Sequence, residues 1–396
     1  MNKRYTEATE KMDASKQLCP NVECTSRGQI GQGNIVIHQK NRPRYKCKTC
    51  GKTFSARSGT AFEGIRKSED DFVKVTTLLA YGTPTQAIVH AFELDERTVA
   101  NWRERAGIHC EAIHKEKIER GILDLIHVQA DEIWVKMKGT VVWVALAIMV
   151  STRLWIAVEV SKKRDSDLTD NLMRQVRRCA CSLCAILICT DGFAAYPKSI
   201  IKAFRTKVKA RPGPGASKKV VWPRLYIATV IKHTAKRRVT EVIRRMSYGQ
   251  WRKAKKLIKS SKGGKKVNTS FIERFNGTIR ERFAPLTRKC RYAAAKITTV
   301  HTGIYLIGCV YNFCSPHDEL SKSKTKGGFG FSCTPAIASG LTDHVWSVRE
   351  LLTYKVAPPP IHRKKGRPRT KLLKSTSMPK KPVVRLRKGA LCASTR

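Results

Sequence analysis

The chain has 396 residues, enough for two or three domains and a sizeable buried core. Its 78 Lys+Arg against 30 Asp+Glu leave a formal net charge of +48, which indicates a polyanionic partner, with nucleic acid as the first candidate. Hydrophobic residues make up 41% of the chain, which excludes a wholly disordered basic protein.

The sequence carries no signal for a membrane or for export. Its longest uninterrupted apolar run, Val141–Val150, is well short of the roughly 20 residues that a membrane-spanning helix requires. Residues 1–17 lack the apolar stretch of a signal peptide. We therefore expect a cytoplasmic protein with no membrane partner, in which the 14 cysteines stay reduced and do not form a disulfide framework.

Four cysteines near the N-terminus have the spacing of a small zinc ribbon over residues 15–62. Cys19 and Cys24 are separated by four residues, and Cys47 and Cys50 by two residues with a glycine following. Four thiolates complete the tetrahedral coordination of Zn²⁺, and alternating apolar residues between the two pairs predict a hairpin. The alternative is a set of unrelated thiols in a Lys-rich segment.

Helix signals follow over residues 66–110. Ser68 precedes an amphipathic stripe as a helix N-cap, and a second helix is predicted from Pro84 to about Ala91. Asp95 can cap a third helix that ends at Gly107. This succession of short helices predicts an all-α helix-turn-helix domain that binds DNA.

The third helix carries polar side chains suited to reading DNA. Arg and Asn pair bidentately with guanine and adenine edges when the last helix of this motif lies in the major groove. The assigned DNA contacts on this helix are Arg97, Asn101, Arg103 and Arg105. The alternative is a three-helix bundle with a solvated basic face.

The pattern changes to that of strands within residues 121–320. Three strand-like runs lie within residues 125–160, a helix is predicted from Asp165 to about Cys181, and a buried strand then leads to Asp191. A later amphipathic helix begins at Asn268. This order predicts an α/β catalytic domain of the RNase H-like class with a mixed sheet.

Three carboxylates are expected to meet at one edge of this sheet. Period-two alternation favours Asp131 over its neighbour Glu132 as the inward-pointing acid of the first strand. Asp191 follows the fourth strand, where open α/β sheets bind ligands, and Glu273 lies on the later helix. Converging carboxylates suit two Mg²⁺ or Mn²⁺ ions in phosphoryl transfer. Taken singly, each acid could instead cap a helix or form an ion pair.

Glu273 competes with two other acids for the third position. Glu241 lies among Arg and Lys residues, where an ion pair is the simpler role, and Glu281 is rotated about 80° around the helix from Glu273. Asn276 and Arg280 share the polar face beside Glu273 and are assigned as further DNA contacts.

Two segments are unusually basic. Residues 205–266 contain 21 Lys+Arg and one acid, which predicts either a basic insertion that contacts phosphates or a solvated loop. Within this segment, Tyr226–His233 and Val239–Met246 could form the two strands of an inserted hairpin. A C-terminal extension covers residues 321–354. Residues 355–396 contain 14 Lys+Arg, six Pro and no acid, which predicts a disordered tail. Within this tail Arg367 and Arg369 have the setting of an AT-hook, whose arginines enter a narrow minor groove.

Three blocks of the sequence resemble a known family. ADEIW at 130–134, TDGFAAYP at 190–197 and NTSFIERFNGTIRERFAPLTRK at 268–289 resemble the Asp, Asp and Glu blocks of bacterial insertion-sequence DDE transposases of the IS-one type. The N-terminal RYKCKTCGKTFS and the helix-turn-helix also look like that family. Because YNFCSPHDEL at 311–320 and TPAIASGLTDHVWSVRELL at 334–352 resemble it too, the resemblance covers roughly residues 19–354. The widened first cysteine pair and the long basic tail depart from the family pattern.

The resemblance implies a DNA transposase. Asp131, Asp191 and Glu273 would be its catalytic ligands for two Mg²⁺ or Mn²⁺ ions. The enzyme would cleave double-stranded DNA at transposon ends and transfer the exposed 3′-OH into target DNA, while the N-terminal modules bind the terminal inverted repeats. We expect it to act on DNA ends as a homo-oligomer and to associate with the nucleoid.

Two other functions stay open from the sequence. A catalytically inactive, transposase-derived repressor would keep the DNA-binding modules, although the three intact carboxylates argue against it. An RNase H-like structure-specific nuclease would cut DNA without joining strands. The sequence contains neither GxSxG nor GxxxxGK[ST], which argues against a serine hydrolase and a P-loop NTPase.

Overall fold

The chain follows the predicted order of a small sheet, a group of helices, and a larger sheet with helices. The computed structural model describes residues 12–41, 43–137, 139–208, 217–236, 238–286, 294, 296–321 and 331–357. The strands within these ranges are β1 (Ile35–Gln39), β2 (Arg44–Cys47), β3 (Thr53–Ser55), β4 (His127–Met137), β5 (Thr140–Met149), β6 (Trp155–Ser161), β7 (Ile186–Thr190), β8 (Arg205–Val208), β9 (Lys218–Val221), β10 (Leu225–Ala235) and β11 (Arg238–Tyr248). The helices are α1 (Glu69–Ala80), α2 (Thr85–Phe92), α3 (Glu96–Lys117), α4 (Ser166–Cys179), α5 (Ala195–Ala203), α6 (Trp251–Ser260), α7 (Ser270–Arg282), α8 (Ile297–Cys309), α9 (Asp318–Ser321), α10 (Pro335–Ala338) and α11 (Val348–Thr353), with a 3₁₀ turn at Ala284–Leu286 and a π-helical turn at Val310–Cys314.

The N-terminal strands form an antiparallel sheet in the order β1-β2-β3. Tyr45 on β2 and Phe54 on β3 are buried beside the cysteines, with ring centroids 6.1 Å apart. Gly51 has a φ of 70°, a conformation that favours glycine, and lets the chain turn directly after Cys50. A few apolar side chains and the cysteines are therefore the whole core of this small module.

The first three helices begin where local capping signals place them. Ser68 Oγ accepts a hydrogen bond from the backbone N–H of Asp71 at 3.4 Å, and Asp95 Oδ1 accepts one from Arg97 at 2.8 Å. These two caps confirm the predicted starts of α1 and α3, because each satisfies an N–H group that has no partner inside its helix.

The prediction that α3 ends at Gly107 is wrong, because the helix continues to Lys117. A Cβ atom at Gly107 would lie only 2.2 Å from the carbonyl oxygen of Thr302 in α8. Glycine here permits the close approach of two helix backbones and is not a C-cap. The second half of α3 therefore packs against α8, and the predicted boundary at residue 110 falls inside a helix that joins the N-terminal helices to the larger sheet.

The larger sheet has six strands in the order β11-β10-β7-β4-β5-β6. β4, β7 and β10 are parallel, whereas β5, β6 and β11 pair antiparallel with their neighbours. Helices α4 and α5 pack on one another, and α7 lies over β4 and β5. This mixed six-stranded sheet with helices fits the predicted RNase H-like catalytic domain.

Part of the predicted basic insertion belongs to this sheet. β10 pairs in parallel with β7, and its Ile227 and Ala228 are fully buried. The amphipathic α6 covers this region with Ala254 and Ile258 while its lysines stay exposed. The strands predicted at 226–233 and 239–246 correspond to β10 and β11, but β10 joins the main sheet as a core strand and is not part of a separate inserted hairpin. The charged side chains of this segment lie on the outer part of the hairpin and on one face of α6.

The last residues that the structure describes, up to residue 357, contact the segment between β3 and α1. Leu352 accepts a backbone hydrogen bond from Ala61 at 2.9 Å, and Val356 donates one to Gly59 at 3.0 Å. The described chain thus continues to residue 357, past the predicted start of the tail at residue 355. Residues 358–396, including the AT-hook arginines Arg367 and Arg369, lie outside the described residues. In the part of the chain that is described, every helix is too short or too polar to cross a membrane.

Candidate active site

Three acidic side chains meet at the edge of the larger sheet where the central strand β7 ends beside the middle of β4. The parallel register pairs Ala130 with Thr190, so the residues that follow them, Asp131 and Asp191, become neighbours. One carboxylate oxygen from each of Asp131, Glu132 and Asp191 lies within 4.8 Å of the others. The proximity of the two predicted aspartates thus results directly from strand pairing.

Asp131 is held in an electrostatically crowded setting. Asn276 Nδ2 on α7 donates a hydrogen bond to Asp131 Oδ2 at 2.9 Å. Burial, together with the negative charges of Asp191, Glu132 and Glu273, raises the pKa of Asp131 to about 7. The same two effects, burial first, raise the pKa of Glu132. A divalent cation at this edge would offset the repulsion between these carboxylates.

Glu132 is the acid that strand alternation disfavoured, and it lies in the cluster. Its side chain is only 2% exposed. Arg164 Nε donates to Glu132 Oε1 at 2.6 Å, and the hydroxyl of Tyr196 donates to Glu132 Oε2 at 3.0 Å. Arg164 and Tyr196 were not predicted as site residues, although Tyr196 stands within the TDGFAAYP block that carried the resemblance.

Glu273 lies on α7 close to the three clustered acids, but it is not one of the carboxylates whose oxygens lie within 4.8 Å of one another. Glu273 Oε1 accepts hydrogen bonds from Thr269 Oγ1 at 2.5 Å and from the Lys232 ammonium on β10. The first turn of α7 is fixed over β4, because Gln129 Oε1 accepts the backbone N–H groups of Phe271 and Ile272 at 2.9 and 3.1 Å. This anchoring places Glu273 where its charge acts on Asp131.

The donor set at the sheet edge fits a hard divalent cation. Its ligand atoms are carboxylate oxygens alone, which is the set that Mg²⁺ and Mn²⁺ prefer. The Asp191 carboxylate is already oriented, because its Oδ1 accepts the backbone N–H of Phe193 at 3.1 Å. The arrangement can therefore hold metal ions at one place with little rearrangement.

The four N-terminal cysteines also come together. Their sulfur atoms all lie within 4.8 Å of one another, with Cys19 and Cys50 at 3.7 Å and Cys24 and Cys47 at 3.9 Å. Four converging thiols fit a tetrahedral Zn²⁺ ion, and the cluster is consistent with the predicted zinc ribbon despite its widened first pair.

The predicted DNA contacts occupy different settings. Arg97 and Asn101 on α3 are exposed, whereas Arg103 is half-buried and burial lowers its pKa. Arg105 donates a hydrogen bond to the backbone carbonyl of Glu63, which ties α3 to the preceding loop. The exposed members of this set therefore lie near the N-terminus of α3, and their assignment as DNA contacts stays a prediction.

The two contacts predicted on α7 also differ from each other. Asn276 is only 1% exposed, and its amide donates to Asp131, so the prediction of a DNA contact at this residue is replaced by a role in orienting that carboxylate. Arg280 is half-buried on the same helix, and its assignment as a DNA contact stays a prediction.

The comparison with protein families also indicates a DDE domain. Residues 126–214 match a family model described as a DDE domain, of the insertion-sequence transposase type. The match confirms the predicted resemblance to an insertion-sequence DDE transposase, and it leaves the IS-one type unconfirmed. The matched range includes Asp131 and Asp191 and ends before Glu273. No curated protein matches the chain.

Proposed function

We propose that the protein is a transposase that cleaves DNA at the ends of its element and joins the freed 3′-OH to target DNA. The observation that carries this proposal is the pair of carboxylates from Asp131 and Asp191 at the edge of an RNase H-like sheet, within the range that matches a DDE domain. Glu273 on the overlying helix would complete the catalytic set.

Asp131, Asp191 and Glu273 would hold two Mg²⁺ or Mn²⁺ ions. When bound, such ions polarise the scissile phosphate and stabilise both the attacking and the leaving oxygen. The chain's own residues prepare this site, since Asn276 orients Asp131 and Lys232 balances the charge of Glu273. A side-chain nucleophile has no part in this mechanism.

The DNA would be held by surfaces on several elements. The zinc ribbon and α3 would bind the terminal inverted repeats, with Zn²⁺ stabilising the small N-terminal sheet. The exposed lysines of α6 and the arginines of β11 would contact phosphates without regard to sequence. We further propose that the protein acts on paired DNA ends as a homo-oligomer and works in the cytoplasm at the nucleoid.

A strand-transfer assay tests the proposal. The full chain is incubated with Mg²⁺, a labelled DNA carrying the sequences that flank its gene, and a target plasmid. We expect 3′ ends cleaved at a defined position and joined to the plasmid, with both products absent for Asp191→Asn. Cutting without joining would favour the structure-specific nuclease, and specific binding without cutting would favour the repressor.

A further inference from the structure

A buried ion pair lies directly beside the candidate ligands and has no place in the proposed catalytic set. It joins Glu132 on β4 to Arg164, which stands in the loop before α4. The Glu132 carboxylate is almost completely shielded from solvent, with 2% of its side chain exposed, whereas 37% of the Arg164 side chain is exposed. Burying a charge is costly unless an opposite charge and hydrogen bonds compensate it, and removing one partner of such a pair leaves the other charge uncompensated.

The Arg164 guanidinium is held on several sides. It lies over the rings of Trp143 and Phe193, at 5.1 and 4.3 Å from their centroids. One of its nitrogens also lies 3.6 Å from Asp191 Oδ2. Because Tyr196 donates to the second oxygen of Glu132, both oxygens of that carboxylate are engaged.

We propose that Arg164 is a positioning residue that keeps Glu132 out of the metal-ligand set of Asp131 and Asp191, an inference that rests on the proposed function. A Glu132 oxygen lies within 4.8 Å of oxygens of both aspartates. Left unpaired, the Glu132 carboxylate would offer a divalent cation a further ligand beside Asp131 and Asp191. Because Arg164 and Tyr196 each donate a hydrogen bond to one of its oxygens, the Glu132 carboxylate is not available to the cation.

Glu132 in turn keeps Arg164 away from Asp191. Without the charge of Glu132, the acid that pairs with Arg164 among the described residues is Asp191. The guanidinium would then pair with a catalytic ligand and compete with the metal for it. The two charges are therefore matched, and removing either one alone should disturb the site more than removing both.

The experiment compares Arg164→Gln, Glu132→Gln and the double variant with the unaltered full chain. Mn²⁺ binding to the DNA-free protein is measured by electron paramagnetic resonance, and cleavage is measured separately at saturating DNA. Substituting a residue that orients metal ligands typically lowers metal affinity or activity by about 10–100-fold. We therefore expect each single variant to lose cleavage by at least about tenfold. We expect Mn²⁺ to bind more tightly to Arg164→Gln and more weakly to Glu132→Gln.

The double variant decides the question. It should return both Mn²⁺ affinity and cleavage to within about threefold of the unaltered chain, because strong coupling between contacting charges makes their effects non-additive. Equal losses of cleavage in Arg164→Gln and the double variant, with Mn²⁺ affinity unchanged in both, would overturn the proposal and assign the pair a purely structural role. Arg164→Lys, which keeps the charge and the fold, should bind Mn²⁺ like the unaltered chain.

A second buried ion pair provides the matched control. Arg178 pairs with Glu119 at 2.6 Å, and the Glu119 side chain is 7% exposed. Arg178→Gln should leave Mn²⁺ affinity and cleavage unchanged. If the unaltered chain binds Mn²⁺ but never cleaves the element's ends, the proposed function fails, whereas the Mn²⁺ affinities of the variants still test the role of Arg164.

Discussion

At the scale of single residues, the third catalytic carboxylate is the sharpest assignment. Glu132 is nearer to the two aspartates, but both of its oxygens are engaged by Arg164 and Tyr196. Glu273 is bonded to an ammonium and a hydroxyl, and 45% of its side chain is exposed, so it can turn towards an incoming ion. The engaged oxygens of Glu132 thus favour Glu273 as the third ligand.

Glu273→Gln tests this assignment because it keeps the shape of the side chain and removes its charge. We expect cleavage and strand transfer to fall by orders of magnitude while folding and binding of end DNA are retained. Glu281→Gln on the same helix is the matched control and should stay within about tenfold, a barrier change of ~1.4 kcal/mol. Strand joining by Glu273→Gln in Mg²⁺ at the unaltered rate would contradict the assignment.

At the scale of elements, the packing of α3 against α8 depends on one glycine. Gly107→Ala would place a Cβ atom 2.2 Å from a backbone oxygen of Thr302, so one of the two helices must shift. Overpacking of this kind typically costs about 1–3 kcal/mol, and we expect a loss of stability near the upper end in chemical denaturation. Gly277→Ala is the control, since a Cβ atom on that glycine of α7 meets nothing within 4 Å. It should be neutral or stabilise by up to about 1 kcal/mol, and equal destabilisation by both variants would contradict the packing explanation.

The same helix pair carries a pH-dependent interaction. Glu111 on α3 pairs with Lys115 at 2.6 Å and with His301 on α8 at 3.3 Å. Burial alone would raise the pKa of Glu111, but the bonds from His301 and Lys115 outweigh it and lower the pKa to about 2. An acid with a lowered folded-state pKa stabilises the fold above its unfolded-state pKa, and this contribution disappears as the pH falls towards the folded-state value.

Glu111→Gln should therefore destabilise the protein by about 1–3 kcal/mol at pH 6. The difference from the unaltered chain should shrink as the pH falls from about 4.5 to about 2, the interval between the ordinary and the folded-state pKa. Urea denaturation at a series of pH values measures it. Glu104→Gln, at an exposed position of α3, is the control and should change stability by less than about 0.5 kcal/mol throughout. A difference that stays constant down to pH 2 would rule out the ion pair as its cause.

The small N-terminal sheet has too few apolar residues to be stable alone, so a metal at its four cysteines would supply folding energy. Elemental analysis should find one Zn²⁺ per chain, absent from Cys47→Ser, and hydrogen exchange of that variant should show no amide protection over residues 15–62. Cys184→Ser, a partly buried cysteine outside this cluster, should keep the zinc. Purified protein without zinc would refute the prediction.

At the scale of the whole molecule, DNA recognition should divide between α3 and α6. Replacing Arg97 or Asn101 with Ala should weaken binding to end DNA relative to random DNA by ~1–3 kcal/mol for each base that the helix no longer reads. Replacing Lys253 or Lys256, which are exposed on α6, with Gln should weaken binding to both DNAs equally and reduce the salt slope by about one for each phosphate that is no longer neutralised. Fluorescence anisotropy at several salt concentrations separates the two behaviours. Equal weakening on both DNAs for the α3 variants would remove the reading role from that helix.

Local interactions explain what could be predicted from the sequence alone. The caps at Ser68 and Asp95 depend on atoms only two or three residues away. Short apolar runs separated by breaks predict the strands without any partner. The meeting of Asp131 and Asp191 was predicted from the element order of an RNase H-like fold, and it results from the parallel pairing of β4 with β7, which brings Asp191 at the end of β7 beside the middle of β4.

Interactions between distant segments decided the rest. Only the approach of α8 shows why Gly107 continues a helix, and only pairing with β7 shows that the strand predicted at 226–233 belongs to the core sheet. The reassignment of Asn276 and the engagement of Glu132 by Arg164 likewise depend on which side chains the packed elements bring together. Hydrogen bonds and periodicity within a segment are set by its own residues, whereas a side chain's role in a site is set by neighbours that the chain reaches only after it has folded.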